Sequence, residues 1–332
     1  MPATSSTAKI NKFLLLGIAA LLLFLILSVS VGGSGVTATQ AIKVLFGAPD
    51  AQNVKLIVFS VRLPRALGAV FCGSALAVSG LLLQAALDNS LASPGIMGVN
   101  HGAGLLALVA SAILPFSFAG RTLFAFVGAI LAALGVFLIS KKAGVSRTSL
   151  ILSGVAVSGM LTAMINLLIF LKPALVTDRV AFSLGSLSSV TFSQLVIVCP
   201  VVIAGILCAF LLAGGVDLFA LGDETAQGLG LHTARHRIFT VLCASVLAAA
   251  AVSVCGLISF VGLIVPNMVR MVSKHTKSAL LLCSVWGGGF LLFCDFASRL
   301  LVYPYEMPVG ILLSLFGGPF FIYMLMKRRR RL

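Results

Sequence analysis

The stretch that decides the fold runs from Arg62 to Gly104 and reads RLPRALGAVFCGSALAVSGLLLQAALDNSLASPGIMGVNHGAG. Two arginines flank a proline at the start of a long apolar run, and a polar corner broken by Pro94 separates this run from the next one. Charged side chains and irregular backbone are both costly within a bilayer. Their presence at the two ends of one apolar run indicates that this part of the chain serves function.

The composition identifies an integral membrane protein. Of the 332 residues, 60% are hydrophobic and 9% are charged, and the mean hydropathy is +1.18. A soluble domain has about 25% charged residues, so this chain has too few to cover its surface in water. The apolar runs are about 20 residues long, which suits a membrane-crossing helix and exceeds the length of a barrel strand. The sequence therefore predicts an all-α integral membrane protein.

We predict about ten transmembrane helices in a single polytopic domain that covers residues 1–332. The predicted spans are 13–31, 66–86, 96–114, 121–140, 148–170, 192–212, 238–255, 258–273, 279–297 and 308–326. Because Pro266 and Asn267 interrupt the eighth span, we expect it to begin as a half-helix on the outer side. The first run is longer than the ~7–15 residues of a signal-peptide core and is interpreted as a retained span.

The basic residues predict the orientation. With a cytoplasmic N-terminus, 15 of the 23 lysines and arginines lie inside, including the tail 327–332, and 8 lie outside. This excess favours cytoplasmic N- and C-termini in a multi-pass protein of the bacterial cytoplasmic (inner) membrane. Two connections are long: the outer segment 32–65, with a short amphipathic pattern near residues 39–46, and the polar inner segment 213–237.

Several functional classes are disfavoured by the sequence. The net charge of +15 is spread in small groups between apolar runs, so we expect a topology signal and no nucleic acid partner. The seven cysteines are scattered singly, which predicts neither disulfides nor a metal site. His232 and His236 have metal-ligand spacing, but Arg235 and Arg237 beside them disfavour a cation. No P-loop motif is present in the sequence, and we predict no cofactor and no enzymatic activity of this chain itself.

Seven motifs in one fixed order resemble the permease subunits of importers for iron–siderophore complexes, haem and vitamin B12. They are R-L-P-R (62–65), S-G-x-x-x-Q (79–84), N-x-L-A-x-P (89–94), A-L-G-D-E-T-A-Q-G-L-G-L (220–231), G-L-I-S-F-V-G-L-I-V-P-N-x-x-R (256–270), D-x-x-x-R (295–299), and M-P-V-G (307–310) with G-G-P-F (317–320). The resemblance extends from Arg62 to Pro319. Two residues depart from the family pattern: Ser90 stands where proline is usual, and Asn267 where histidine is common.

The resemblance implies a vitamin B12 permease-like fold and a set of partners. Two copies, or this chain and a close paralogue, would enclose the pathway within the lipid bilayer. An ATP-binding cassette ATPase subunit would dock inside and an extracytoplasmic substrate-binding protein outside. The expected substrate is a ferric siderophore or related metal chelate, with haem or cobalamin as alternatives. The alternative from another class is an ion-coupled secondary transporter, which the scarcity of acids in the spans disfavours.

The inner segment is expected to form two short helices with an apolar ridge on the cytoplasmic face. Asp223 and Glu224 follow Gly222 at a predicted helix N-terminus, where the helix dipole favours negative charge. An ordinary amphipathic loop on the lipid surface is the alternative. The resemblance implies that this segment couples to the ATPase, through Leu218, Leu221, Gly222, Asp223, Glu224, Ala226, Leu229 and Gly230.

Three arginines, Arg62, Arg65 and Arg299, lie on the predicted outer side against the usual charge bias. The resemblance implies that they receive glutamates of the binding protein. Two alternatives stay open: the side chains snorkel to lipid headgroups, or Arg299 pairs with Asp295 one helical turn away.

The corner at 88–94 is predicted to lie at the inner end of the second span. The resemblance implies a cytoplasmic gate formed by Asn89, Leu91, Arg147 and Thr148, while a helix cap is the alternative role for Asn89. His101 is an ionisable residue inside a predicted span, which makes it a candidate for the transport pathway. A neutral histidine bonded to a neighbouring helix is the alternative.

Overall fold

The computed structural model describes residues 3–31, 37–45, 52–114, 117–144, 146–302 and 305–329, and all regular structure in these ranges is helical. The helices are α1 (Ala3–Ser30), α2 (Ala38–Leu45), α3 (Gln52–Leu56), α4 (Leu63–Ala86), α5 (Val99–Ile113), α6 (Phe118–Lys142), α7 (Arg147–Leu171), α8 (Val176–Leu184), α9 (Phe192–Phe219), α10 (Asp223–Gly228), α11 (Thr233–Cys255), α12 (Val261–Arg270), α13 (Thr276–Leu301) and α14 (Val309–Arg329).

Seven helical stretches in the described part of the chain are long and apolar enough to cross a membrane. They are Ala8–Ser30, Gln52–Ala86, Phe118–Lys142, Arg147–Leu171, Phe192–Phe219, Thr233–Cys255 and Thr276–Leu301. Three apolar helices are shorter: Val99–Ile113, Val261–Arg270 and Val309–Phe320. Each of the ten predicted spans coincides with one of these helices. The all-α membrane fold is confirmed, and the eighth span is the short helix α12, ten residues long.

Several boundaries differ from the prediction. A π-helical turn, Ile57–Arg62, joins α3 to α4, so the second span begins well before residue 66. The sixth span continues to Phe219 because the apolar run extends into the predicted inner segment. The amphipathic helix expected near 39–46 is α2, although residue 46 lies outside the described residues, as do 32–36 and 47–51 of the outer segment. Residues 330–332 of the basic tail are also outside them.

The central helix is α4, which packs against α9, α11, α12 and α13. Glycines allow the closest approaches: a Cβ at Gly80 would collide with the carbonyl oxygen of Gly262 on α12, and one at Gly73 with that of Gly287 on α13. Small residues of this kind let membrane helices approach backbone to backbone. Hydrogen bonds add to the packing, since Ser79 Oγ donates to the carbonyl of Ala244 at 2.6 Å.

Irregular backbone inside the bundle is satisfied by pairing with other backbone. The chain between α8 and α9 lies beside the chain between α11 and α12. Leu257 N donates to the Phe182 carbonyl at 2.9 Å, and Ser186 N donates to the Cys255 carbonyl at 2.9 Å. Non-helical backbone at membrane depth is tolerated where the protein itself supplies the partners. This pairing fixes α8 against the bundle and shapes the clefts beside it.

Candidate functional site

A charged cluster lies where α10 meets the main bundle. Asp223, the first residue of α10, accepts hydrogen bonds on Oδ1 from Arg237 Nη2 at 2.6 Å and from Arg147 Nη2 at 3.3 Å. Arg147 also donates through Nη1 to Asp88 Oδ2 at 2.7 Å. We call Asp88, Arg147, Asp223 and Arg237 the inner network. It connects α10, the start of α7, α11 and the residues that follow α4.

Arg237 anchors the inner network in the core. Arg237 is 3% exposed, and its Nε donates to the carbonyl of Ala86, the last residue of α4, at 2.9 Å. Its guanidinium lies over the Phe219 ring, 5.2 Å from the centroid. Asp88, on the other side of the network, has a φ of +47°, a conformation that is uncommon for a residue other than glycine. The network thus holds the corner after α4 in a specific shape.

The charge state of Asp223 follows from its neighbours. Partial burial by itself would raise the pKa of its carboxyl group, because desolvation disfavours the charged form. The hydrogen bond and charge of Arg237, and then those of Arg147, outweigh burial and hold the pKa of Asp223 below its usual range. Asp223 is therefore ionised at neutral pH.

The predicted gate residues surround this corner. Asn89 Oδ1 accepts from Leu91 N at 2.9 Å, so Asn89 supports the turn itself and does not cap the start of α5. The carbonyl of Ser90 accepts from Asn267 Nδ2 at 3.4 Å. The two residues that depart from the family pattern are thus in contact. Thr148 is exposed beside Arg147 in the first turn of α7.

The predicted coupling residues form one short helix and not two. Leu218 belongs to the end of α9, and only the six residues of α10 form a separate helix. Leu221 and Leu229, on either side of α10, are 55% and 61% exposed, whereas Ala226 is fully buried and therefore lies outside any apolar ridge. Gly222 and Gly230 have φ of +90° and +88°, which a residue with a Cβ rarely adopts. Glu224 is exposed on the first turn.

A second charged cluster joins α4 to α13. Arg65 Nε donates to both carboxylate oxygens of Asp295, at 3.0 and 3.1 Å, and its Nη1 lies 2.6 Å from Glu306 Oε2. Arg299 pairs with Asp295 at 3.3 Å and bonds to Ser28. Arg62 lies beside them, and its Nη1 donates to the last carbonyls of α1, those of Val29 at 3.0 Å and Ser30 at 2.8 Å. We call Arg62, Arg65, Asp295, Arg299 and Glu306 the outer network.

The three arginines of the outer network are enclosed. Arg62, Arg65 and Arg299 are 4%, 5% and 6% exposed, and Asp295 is 0% exposed. Their guanidinium groups contact partners inside the chain, so they do not extend to lipid headgroups. The second alternative, an ion pair between Asp295 and Arg299 within α13, is present in the structure. Docking of a binding protein through these arginines stays a prediction.

A cleft of about 130 Å³ lies between α5, α7 and α8, and the predicted pathway residue His101 lines it. The Nδ1 atom of His101 is buried and has no hydrogen-bond partner among the described residues. The alternative, a ring nitrogen bonded to a neighbouring helix, is therefore not what the structure shows at Nδ1. Arg179 and Thr162, which the sequence reasoning did not single out, line the same cleft from α8 and α7.

The arrangement defines a class of protein. The bundle has membrane-length helices, irregular backbone in its interior and one charged network at each end of the central helix α4. These features are typical of a polytopic transport protein. The profile of the FecCD transport family matches residues 20–327. The chain belongs to the FecCD transport family, and it is a multi-pass membrane permease.

Individual relatives agree with this assignment. The chain is 36% identical to the Fe(3+)-citrate import system permease protein YfmD of Bacillus subtilis, over 98% of each chain. It is 34% identical to the ferric enterobactin transport system permease protein FepG of Escherichia coli, over 90% of this chain and 91% of that one. It is 31% identical to the hemin transport system permease protein HmuU of Yersinia pestis, over 97% and 98%.

A solved structure confirms the predicted fold. The inward-facing conformation of a metal-chelate type ABC transporter superimposes with a TM-score of 0.82 at 27% identity, covering 96% of this chain and 99% of that one. The predicted class, a permease subunit of an ABC transporter, is therefore confirmed over the ion-coupled secondary transporter.

Proposed function

We propose that this chain is the membrane subunit of an ATP-driven importer that carries a ferric siderophore or related metal chelate into the cell. The observation that carries the proposal is full-length similarity to permeases named for ferric citrate, ferric enterobactin and hemin. Ferric chelates predominate among these names, so a ferric siderophore is the first candidate and haem or cobalamin the second.

An ATPase subunit would dock on the predicted cytoplasmic face. Exposed Leu221 and Leu229 flank α10 and offer two apolar contacts beside this short helix. Movement of α10 would act first on Asp223, the residue that begins this helix. Since Asp223 shares an oxygen between Arg147 and Arg237, displacement of α10 changes both contacts together.

The cytoplasmic gate would open through Arg147. This arginine holds Asp223 on one side and Asp88 on the other, and Asp88 lies one residue before Asn89 in the corner. A shift of α10 would therefore be transmitted to the corner that contains Asn89 and Leu91 through the side chain of Arg147. Thr148 is exposed next to Arg147 in the first turn of α7 and would complete the opening.

A substrate-binding protein would dock on the predicted outer face around the outer network. Direct contact through Arg62, Arg65 or Arg299 would require the internal pairs of these side chains to open. The exposed side chains of Lys43 and Lys55 on the predicted outer side offer positive charge without that cost. A second copy of this chain, or a close paralogue, would cover the peripheral helix α7, whose apolar side chains are largely exposed.

The experiment is ATP-dependent uptake in proteoliposomes. The chain is purified with a candidate ATPase subunit and a candidate binding protein from the same organism, and uptake of ⁵⁵Fe-labelled chelates is compared with and without ATP. Uptake that needs ATP, the ATPase subunit and the binding protein supports the proposal. Uptake by this chain alone, driven by a proton or sodium gradient, would overturn it.

A further inference from the structure

The cleft between α5, α7 and α8 has a mostly apolar wall into which five polar side chains are set. Its polar lining consists of Asn100, His101, Thr162, Arg179 and Ser183. Thr162 lies 15 residues after Arg147, the first residue of α7, which corresponds to about 22 Å along the helix. This distance places the cleft within the span of α7. Ionisable residues at such a depth are expensive and usually functional.

The cleft supplies hydrogen-bond donors and positive charge without a carboxylate. Arg179 donates through Nη1 to Asn166 Oδ1 at 2.7 Å, which engages one of its five N–H donors. Across the described ranges, no acidic residue forms an ion pair with Arg179, and none lines the cleft. The neighbouring Asp178 lies instead near Arg121, at 3.9 Å. The charge of Arg179 is thus available to a ligand.

The unpartnered Nδ1 of His101 points to a ligand or to water at this position. A buried polar atom without a partner is unfavourable, so the site favours an occupant that can bond to it. Asn100 and Ser183 add an amide and a hydroxyl group at the same cleft. A guanidinium, an imidazole, an amide and a hydroxyl together suit an oxyanion. The guanidinium disfavours a bare metal cation.

The enclosed part of the cleft has room for one functional group of a ligand. A water molecule occupies about 30 Å³ in the liquid, so a volume of about 130 Å³ holds roughly four waters. A carboxylate with a short linker fits this enclosed space. The occupant is therefore one arm of a larger molecule or a small carboxylic acid.

We propose that this cleft binds a carboxylate group of the cargo during passage, so that the permease itself favours anionic, carboxylate-bearing chelates. The proposal rests on the proposed import function. Arg179 supplies the charge-assisted hydrogen bonds, and His101, Asn100 and Ser183 orient the oxygens. A chelate without a free carboxylate gains nothing from this site.

Binding is tested on the full chain in lipid nanodiscs with citrate as the probe. The imidazole of His101 is observed by NMR after histidine labelling and is assigned with His101→Gln. We expect a saturable shift with citrate, an affinity about tenfold weaker in Arg179→Gln, and no shift with the uncharged triethyl ester. Arg235→Gln is the matched control, because Arg235 is exposed on α11 and does not line the cleft. Absence of a saturable shift, or equal binding in wild type and Arg179→Gln, would overturn the proposal.

Uptake by the complete complex supplies the second readout. Arg179→Gln should lower uptake of ferric citrate about tenfold more than uptake of a cationic ferric trihydroxamate, whereas a merely structural role would lower both equally. A wild-type complex that imports no chelate would contradict the proposed function. Citrate binding in nanodiscs would still show whether the cleft binds a carboxylate. Equal losses for both chelates would refute selection by charge.

Discussion

Asp223 and Arg237 are joined by a 2.6 Å hydrogen bond that ties the start of α10 to the buried side of α11. Arg237 in turn bonds to the last carbonyl of α4, so a short surface helix is connected to the central helix of the bundle by a single side chain. A helix of six residues cannot hold its position by itself. This contact, the Arg147–Asp223 pair, the Gln227–Thr233 hydrogen bond and buried Ala226 together hold α10 in place.

The first prediction concerns the coupling of ATP hydrolysis to transport. Asp223→Asn removes the charge that two arginines share, and hydrogen bonds to charged groups contribute about 1.5–3 kcal/mol. We expect the number of chelates imported per ATP to fall about tenfold or more in proteoliposomes, with basal hydrolysis retained. Lys142→Gln removes a charge from an exposed side chain at the end of α6, outside the inner network, and is the control that should behave as wild type. An unchanged ratio in Asp223→Asn would contradict the role of the inner network.

A second prediction is the pH dependence of this contact. Because the pKa of Asp223 in the folded protein lies below its unfolded value of about 4, its contribution is complete above that value. The contribution is lost as the pH falls through the folded pKa. The difference in Tm between wild type and Asp223→Asn should therefore be constant from pH 5 to 8 and shrink below pH 4. A difference that changes between pH 5 and 7 would show that another group controls the contact.

The outer network supports a third prediction, on stability. Asp295→Asn leaves Arg65 and Arg299 enclosed with a weaker counter-charge, and removing one partner of a buried pair costs about 3–5 kcal/mol. We expect a clearly lower Tm in detergent. The control is Asp178→Asn, since the Asp178–Arg121 pair is partly exposed and 3.9 Å apart, and such pairs contribute at most about 1 kcal/mol. Equal effects of the two substitutions would argue against a structural role for the outer network.

The fourth prediction concerns packing of the central helix. Gly80→Ala places a methyl group against the Gly262 carbonyl, and overpacking of this kind costs about 1–3 kcal/mol or more. We expect a lower yield of folded protein in size-exclusion chromatography. Gly135→Ala on α6 meets no atom within 4 Å and should be neutral or slightly stabilising. A well-folded Gly80→Ala protein would indicate that α4 and α12 can separate.

The fifth prediction tests the proposed docking on the outer face. Lys43→Glu with Lys55→Glu reverses charge at exposed positions, so association with the binding protein should weaken at low salt and less so at high salt. Association is measured by surface plasmon resonance on nanodiscs. Lys141→Glu, exposed at the end of α6 on the predicted inner side, is the control. A larger effect of Lys141→Glu would reverse the proposed orientation.

Much of the fold could be predicted because apolar length alone identifies membrane helices. The Asp295–Arg299 pair was also visible, since four residues correspond to one turn. The partner of Arg65 was not, because Asp295 lies 230 residues away and only the packing of α13 on α4 brings the two together. Charge bias predicts the side of the membrane on which an arginine lies, but it does not predict which acidic residue pairs with that arginine.

The inner network shows the same limit. Gly222 and Asp223 marked a helix start correctly, but Arg147 and Arg237 approach that start from two other helices. The cleft likewise combines side chains of α5, α7 and α8, and no spacing within one helix relates His101 to Arg179. Sequence patterns describe one element at a time, and sites between elements depend on tertiary packing.

The contact between Ser90 and Asn267 has a consequence for substitution at these two positions. Ser90 accepts through its backbone carbonyl, and Asn267 also donates to the Leu263 carbonyl at 2.7 Å, so the corner and α12 meet at two residues that both differ from the pattern of related permeases. Substitutions at touching positions are non-additive. Ser90→Pro and Asn267→His should therefore have non-additive effects on stability, which a double-mutant cycle of Tm values would measure.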